Sequence, residues 1–491
     1  MNNLPISSTK LRKRDQLLSF VQSKSHVLKQ EFNRYASTSV PNLTSSSSST
    51  RSTSSLNEQG HRTTVQRSET QEIDDILQDN NPEISQPQCI LFPTYASPYQ
   101  DLGYKVILSG WAFTKPTSSR LDRWLLAAGR SYGGLERDSV EDHHFSNLLN
   151  HFRSQSMRMT EIALALPSIL KERMAEHINT GPTGRFQQEL YLDPHVKGPC
   201  TVEASFLTDS AKVIASTSID VIDHLGISII SDIDDTIKIT GVLDGKDTIL
   251  QNTFFRKARQ VPHMSEVYQN WASIGAHIHY VSNSPWQVFP ALSEFMTQQH
   301  FPQGSVHLRN VGTGDLLRNK PGKHKLEVIS AILRDFPHRK FILVGDSGEM
   351  DPEIYQQIYE LFPDQVIKIF IHDVSSERAI NADRLARDRP DSYYSSVRKF
   401  LSRESIIRKG SSSQLVMDAM AQTEIPEEQQ DMGDPQIPLL TKLEQFEARM
   451  KRVSGKLPDG LFTVFTLATQ LILDPVVTEG FLMYSSSSSS S

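Results

Sequence analysis

The chain reads as an α/β protein built on a parallel sheet, with a smaller β-rich α+β domain before that sheet. Three observations predict this. Short apolar, β-branched runs recur at about 227–231, 277–281, 305–309, 341–345 and 366–371, with helical periodicity between them. That alternation is the mark of a doubly wound sheet. Two of the runs lead straight into paired acids, as strands do at the carboxyl edge where open α/β sheets bind ligands. Residues 86–225 instead carry strand patterns in close succession.

Taken in order, residues 1–85 are rich in Ser, Thr, Asn and Gln, and Ser45–Ser49 is a homopolymer. Such a stretch buries too little apolar area to offset the entropy of ordering, which predicts a disordered tail. Within it, Leu11–Tyr35 places Leu18, Val21, Leu28, Phe32 and Tyr35 on one helical face, with basic residues around them. Three readings of this segment stay open: a helix lying on an anionic membrane, a helix docking on its own protein, and a mitochondrial presequence. Residues 86–225 form the expected accessory domain. There, Lys105–Phe113 reads as a strand crossing into a second, and 148–176 carries helical patterns. The runs 186–192, 200–207 and 213–219 read as strands of a small sandwich. The tight passage from Ile219 to Ile227 predicts direct packing on the next domain, residues 226–410. A polar linker follows over 411–436. Residues 437–484 then carry a charged helical pattern and an apolar stretch expected to return to the body, before a Ser tail at 485–491.

With 491 residues the chain has room for two or three domains. Its net charge of −6 carries no nucleic-acid signature. Cys89 and Cys200 give neither a disulfide framework nor a metal-ligand spacing, so two buried thiols in a reducing interior are expected. The best apolar stretch, Leu461–Leu473, is interrupted by three threonines and Gln470 and is too short to span a bilayer. No apolar run of the secretory type follows the start.

The chemistry concentrates in Leu225–Thr240, LGISIISDIDDTIKIT. Asp232 and Asp234 are alternate residues after an apolar strand and so share a face. Two carboxylates that close repel unless a proton or cation lies between them, which asks for a divalent metal, most simply magnesium. A second acidic pair, Asp346 and Asp351, follows the apolar run Phe341–Val344. Between the pairs, the strand His277–Val281 ends at Ser282-Asn283-Ser284-Pro285. Lys320, Lys323 and Lys325 open a helical pattern with Leu326, Ile329, Ile332, Leu333 and Phe336 on one face. The order is acid pair, hydroxyl, lysine, acid pair.

That order resembles the haloacid dehalogenase superfamily of phosphohydrolases. More narrowly, SDIDDTIK, VSNSPW, the His324-Lys325 pair before a helix and KFILVGDSGEMD resemble the fungal actin-patch phosphatidate phosphatases and their bacterial relatives. The resemblance covers roughly Leu91 to Leu482 and is strongest between Gly226 and Asp373. It implies a Rossmann-like sheet of the dehalogenase type and a magnesium-dependent release of phosphate from phosphatidate through a phosphoaspartate. Asp232 would be the nucleophile and Asp234 the general acid and base. Thr236 would hold the loop, while Asp235 would bond backbone or solvent. Ser282 and Asn283 would donate to phosphoryl oxygens. Lys325 would neutralise the transferring group, with Lys323 competing for that role. Asp346 would bind the metal together with Asp232 and the main-chain carbonyl of Asp234, and Asp351 would be a weaker ligand or an anchor for water. The resemblance also implies a cytoplasmic protein peripheral on membranes, with phosphatidate as its substrate and actin-patch or endocytic proteins as partners. Two rival readings are a phosphatase of the same fold acting on a protein, sugar or inositol phosphate, and a membrane-associated scaffold.

Around the site, His277 and His279 are expected to be structural. His263, His324 and His372 are candidates for supporting it, and Trp271 and Trp286 for packing. The insert between Ile237 and Val261 is expected to cover the first acid pair. It carries Lys238, Lys246, Arg256, Lys257 and Arg259 against Asp244 and Asp247, which suits an anionic lipid surface or an ordinary charged loop.

Overall fold

A computed structural model of the chain describes residues 86–100, 103–115, 120–167, 176–207, 212–309, 322–387 and 440–485. The amphipathic segment Leu11–Tyr35, the linker and the Ser tail lie outside them. The chain divides into a larger unit, residues 1–374 with 453–491, and a smaller one, residues 375–452. In the smaller unit, α8 (Ser376–Arg387) presents the Asp383 carboxylate to the backbone N–H groups of Lys442 and Leu443, at 2.8 and 3.1 Å. These open α9 (Lys442–Ser454), and an acid there satisfies N–H groups that a helix start leaves bare.

The larger unit holds two sheets. The first has nine strands: β1 Pro87–Leu91, β2 Thr94–Pro98, β3 Tyr104–Thr114, β4 Gln155–Ser156, β5 Glu161–Ala165, β6 Glu176–Asn179, β7 Arg185–Leu192, β8 Cys200–Phe206 and β9 Ala215–Val221. Its main path runs β1-β3-β2-β9-β8-β5-β6, with β4 and β7 also paired to β3. Val106 and Leu108 of β3 share one core with Ile162 and Leu164 of β5 and with Phe186, Val202 and Ile219, so the ends of the path meet around a single apolar interior. Cys89 and Cys200 lie buried in it as free thiols.

Two expectations fail here. Lys105–Phe113 lies within one eleven-residue strand, not two. Gly110, inside this strand, clears room for the Phe186 ring: a Cβ there would stand 2.3 Å from it. Among the described residues, the helical expectation over 148–176 holds only to Arg153, where α2 (Val140–Arg153) ends. Beyond it, residues 161–165 pair with both β6 and β8, and this pairing overrides the local helical pattern. α2 is capped by Ser139, whose hydroxyl accepts from the Asp142 N–H at 3.1 Å. Asp142 also ties α2 to α1 (Arg120–Gly133) through Arg130 at 2.6 Å.

The second sheet is parallel throughout: β10 Ile227–Ser231, β11 His277–Pro285, β12 Ser305–Arg309, β13 Lys340–Asp346, β14 Val366–His372 and β15 Phe462–Phe465. The spatial order is β12-β11-β10-β13-β14-β15. All five expected strands are present, and β11 runs on to Pro285. The sixth strand comes from the C-terminal apolar stretch and pairs with β14. Lys368 holds it, reaching the Gly460 carbonyl and the Asp474 carboxylate at 2.7 and 2.6 Å. α4 (Met264–Ser273), α5 (Phe289–Gln298), α6 (Lys323–Asp335) and α7 (Asp351–Leu361) supply the connections between β10 and β14. β10 is buried at every residue and β13 at all but its first, as central strands covered on both faces must be.

The two sheets pack directly, as the short 222–226 connection predicts. Arg339, only 1% exposed, donates to the carbonyls of Asp223, Leu225 and Ile227 and to the Ser228 hydroxyl, pinning that connection. Trp111 meets Trp286 edge-on at 4.2 Å, Phe92 meets Phe289 at 5.0 Å, and His277 contacts Asp220 at 2.8 Å.

Candidate active site

The chain enters the second sheet at its centre, on β10. It turns one way to β11 and β12, then crosses back to β13 and β14 on the other side. The carboxyl ends of β10 and β13 are therefore the point where the connections diverge, and where a crevice opens. The Asp232 N–H donates to the Val344 carbonyl at 2.9 Å, which fixes the first acid beside the end of β13.

Asp232, Lys325, Asp346 and Asp351 are all buried to within 1% of full burial. Lys325 reaches Asp232 Oδ1 at 2.7 Å, Asp351 Oδ1 at 2.6 Å and Glu349 Oε2 at 3.0 Å. Lys323, the competing lysine, is exposed and faces Glu327 at 3.5 Å. Helix periodicity explains the split, because two residues on one helix lie about 200° apart. Thr236 donates to Asp232 Oδ2 at 3.1 Å. Asp234 accepts from Thr240 at 2.7 Å, Ser284 at 2.8 Å and Ser282 at 3.1 Å, with Lys238 at 3.7 Å. Ser282 and Asn283 are thus both engaged with carboxylates, since the Asn283 amide donates to Glu349 at 3.0 Å. Of the two roles open to Asp235, the structure shows backbone bonding. At φ +56° its carboxylate accepts the N–H groups of Thr240, Gly241 and Val242 at 2.7, 2.7 and 2.6 Å.

On the β13 side, Asp346 Oδ1 accepts the N–H groups of Gly348 and Glu349 at 2.6 and 2.9 Å. Its Oδ2 is buried without a hydrogen-bond partner. A Cβ at Gly345 would fall 2.4 Å from Asp351 Oδ2, so only glycine lets these two acids approach. Among the supporting candidates, His372 Nδ1 contacts the Asp235 carbonyl at 2.7 Å, whereas His263 is exposed. Trp271 is core packing at 1% exposure, and His279 is buried against Ser305 at 2.8 Å.

Sequence reasoning gave no role to Glu349, Ser284 or Thr240. Glu349 lies inside the second acidic motif and Ser284 inside the Ser-Asn-Ser turn. Position in a motif was the only signal available for either. The insert after Ile237 is anchored from inside: Thr253, Phe254 and Phe255 are buried, and Phe255 stacks on Phe145 of α2 at 4.9 Å. Arg256, Lys257 and Arg259 stay exposed on its outer side. A hollow of about 30 Å³ lies against Asp234, lined by Lys238, Ser282, Ser284, Leu148, Val288 and Leu292.

Electrostatics sorts these groups. Burial pushes the Asp346 carboxyl well up, and Asp351, Glu349 and Asp232 push it the same way. Burial also raises Asp232, against the pull of Lys325. For Lys325 burial works against the charge, but Asp232, Asp351 and Glu349 outweigh it and hold the ammonium protonated. Asp234 runs the other way. Burial would raise it, yet Lys238 and the hydroxyls of Thr240, Ser284 and Ser282 bring it below the usual carboxylate range. The site therefore holds more buried acid than Lys325 can balance. Asp232, Asp346 and Asp351 can each turn one oxygen to within 4.8 Å of the others. Hard oxygen donors, excess negative charge and the orphaned Asp346 oxygen together fit a divalent cation.

Residues 227–373 match the family model described as phosphatidate phosphatase APP1, catalytic domain. Over this segment the chain is similar to that family. Outside the family model, an uncharacterized Schizosaccharomyces pombe protein is 36% identical over 186 residues, which is 36% of this chain and 31% of that one. Phosphatidate phosphatase APP1 of Saccharomyces cerevisiae is 37% identical over 158 residues, 31% of this chain and 26% of its own. The chain thus matches under a third of the length of these curated relatives. A solved class C acid phosphatase from Bacillus anthracis, with tungstate bound, aligns at 14% identity and a TM-score of 0.20. It covers 29% of this chain and 65% of that one, which is too little to argue from.

Proposed function

We propose that the protein is a magnesium-dependent phosphatidate phosphatase with a catalytic domain of the haloacid dehalogenase type, releasing phosphate and diacylglycerol through a phosphoaspartate. The observation that carries this reading is the buried Lys325–Asp232 contact of 2.7 Å among three further acids, within a segment similar to the APP1 catalytic-domain family. In this reading residues 226–410 carry the chemistry and residues 86–225 act as an accessory domain.

The Asp232 carboxylate attacks phosphorus and the bond to the glycerol oxygen breaks. That oxygen takes a proton from Asp234, and diacylglycerol departs. Asp234 next takes a proton from the water that attacks the phosphoaspartate, and Asp232 is regenerated. Asp234 rests as an anion, so it must be protonated before the first step. An incoming phosphoryl dianion favours this by like-charge repulsion and by drawing Ser282 away. Ser282 and Asn283 then exchange their carboxylate acceptors for phosphoryl oxygens. Lys325 stays beside Asp232 and offsets charge on the group in transfer. A magnesium ion held by Asp232, Asp346, Asp351 and the main-chain carbonyl of Asp234 would offset the repulsion between an anionic nucleophile and an anionic phosphate.

No helix among the described residues is long and apolar enough to cross a membrane. The exposed Arg256, Lys257 and Arg259 suit contact with an anionic bilayer from the cytoplasmic side. Actin-patch or endocytic partners rest on the resemblance alone.

The test is phosphate release from phosphatidate vesicles, with and without magnesium, for the wild type and Asp232→Asn. A soluble generic phosphate ester is assayed in parallel. Magnesium-dependent release from vesicles by the wild type only is expected. A preference for the soluble ester would move the substrate to a protein, sugar or inositol phosphate.

A further inference from the structure

A second cavity lies away from the acids, at the junction of the two sheets. Its volume is about 460 Å³. The Phe92-Pro93 turn with β2, β3 and β7 of the first sheet forms one wall, and β12, α6 and Trp286 form the other. Asp232, Asp234, Asp346, Asp351 and Lys325 take no part in it. The volume is that of a small-molecule site and too small for a whole diacyl lipid.

Arg185 is the distinctive group in this cavity. Its guanidinium lies over the rings of Phe92 and Trp286, 5.5 Å from each. Among the described residues it has no ion-pair or hydrogen-bonding partner for its side chain. Of the other charges in the wall, Lys105 pairs with Glu189 at 2.6 Å, and Asp335 accepts the Tyr95 hydroxyl at 2.7 Å. His307 and His324 also line the cavity, and burial holds both near 4, so neither adds positive charge at neutral pH. Arg185 is half-buried, and a guanidinium keeps its proton, so an anion is the partner it suits. The remaining wall mixes the polar Thr94, Ser97, Ser109 and Gln187 with an apolar stripe. Ile107 of β3 is 42% exposed toward this space, facing Leu308, Val328 and Ile332.

We infer that this cavity binds a small amphipathic anion, a carboxylate or phosphate head on a single alkyl chain, with the head on Arg185 and the chain along Ile107, Leu308 and Ile332. The bidentate fork of arginine suits either head. Because the two walls belong to different sheets, a bound ligand braces one against the other.

The test is calorimetric titration of the full chain with dodecanoate, monododecyl phosphate, neutral monododecanoylglycerol and inorganic phosphate, each below its micellar concentration. One or both amphipathic anions are expected to bind at one site, and the other two probes at least about tenfold more weakly. The preferred head tells whether a fatty acid or a phosphorylated monoacyl compound is the source. Arg185→Met weakens anion binding by about tenfold or more, and Arg185→Lys weakens it less. Ala331→Trp, on the exposed side of α6, fills the cavity and blocks binding while the melting temperature is kept. Asp346→Asn leaves binding unchanged. The inference is overturned if no probe binds, if the neutral lipid binds as tightly as the anions, if either Arg185→Met or Ala331→Trp binds like the wild type, or if Asp346→Asn abolishes binding.

Discussion

Lys325 shows what one residue decides in this protein. It contacts Asp232, Glu349 and Asp351 at 2.7, 3.0 and 2.6 Å, and all four are buried. Removing one partner of a buried ion pair strands the others, at a cost of about 3–5 kcal/mol. Lys325→Met should therefore lower the melting temperature as well as activity, and added magnesium should recover part of the stability. A melting temperature unchanged in chelator would show that the acids are protonated without the lysine. Asp232→Asn should behave oppositely. The amide is nearly isosteric and relieves repulsion, so turnover should fall by orders of magnitude while stability holds or rises. Phosphate release above about a tenth of wild type would sink the nucleophile assignment. For the metal, magnesium should raise the melting temperature of the wild type, and Asp346→Asn should remove that shift, since ligand binding to the folded state stabilises it by mass action.

At the scale of elements, the loop after β10 is held by one carboxylate. Asp235 accepts three backbone N–H groups and adopts φ +56°, a region where a short polar side chain is tolerated better than most. Asp235→Ala would leave those buried donors bare, at about 1–3 kcal/mol for each one water cannot reach. Thr240, which orients Asp234, would shift with them. A fall in melting temperature together with a larger fall in turnover is the expected result. Loss of stability alone would mean the loop does not position Asp234. The insert that follows is apolar inside and basic outside. Reversing Arg256, Lys257 and Arg259 to glutamate should weaken binding to anionic vesicles by about 1 kcal/mol per charge at most, and high salt should erase the difference. Equal binding by both proteins at low salt would reduce these residues to an ordinary charged surface.

At the scale of the whole molecule, the junction of the sheets carries a pH dependence. His279 is buried and His307 and His324 are half-buried, and loss of solvent lowers all three, the last two to about 4. Neighbouring histidines, arginines and Lys325 add to the effect. An unfolded histidine titrates near about 6.5, so below that pH the unfolded chain takes up protons first. The stability these groups contribute is complete above about 6.5 and is lost as pH falls toward about 4. Chemical denaturation at pH 7 and pH 5 should show this loss, and His307→Gln should reduce it. An identical pH slope in the variant would place the dependence elsewhere.

Much of this molecule was legible locally. The five strands of the parallel sheet, the acids at their carboxyl ends and the backbone role open to Asp235 all follow from two-residue alternation and from which residues come next. Those are properties of a few consecutive positions, and a strand's period does not depend on its partners. Tertiary structure decided the rest, because it rests on contacts between residues far apart in the chain. Local pattern could not distinguish Lys323 from Lys325, which helix phase against β10 and β13 separates. It could not foresee that Gly110 makes room for Phe186, or that 161–165 pairs as a strand where its period reads as helix. Nor could it place Arg185 between Phe92 and Trp286. The cost of burying charge, which gives Lys325 its acids and leaves Arg185 open to an anion, exists only once the chain has closed around those groups.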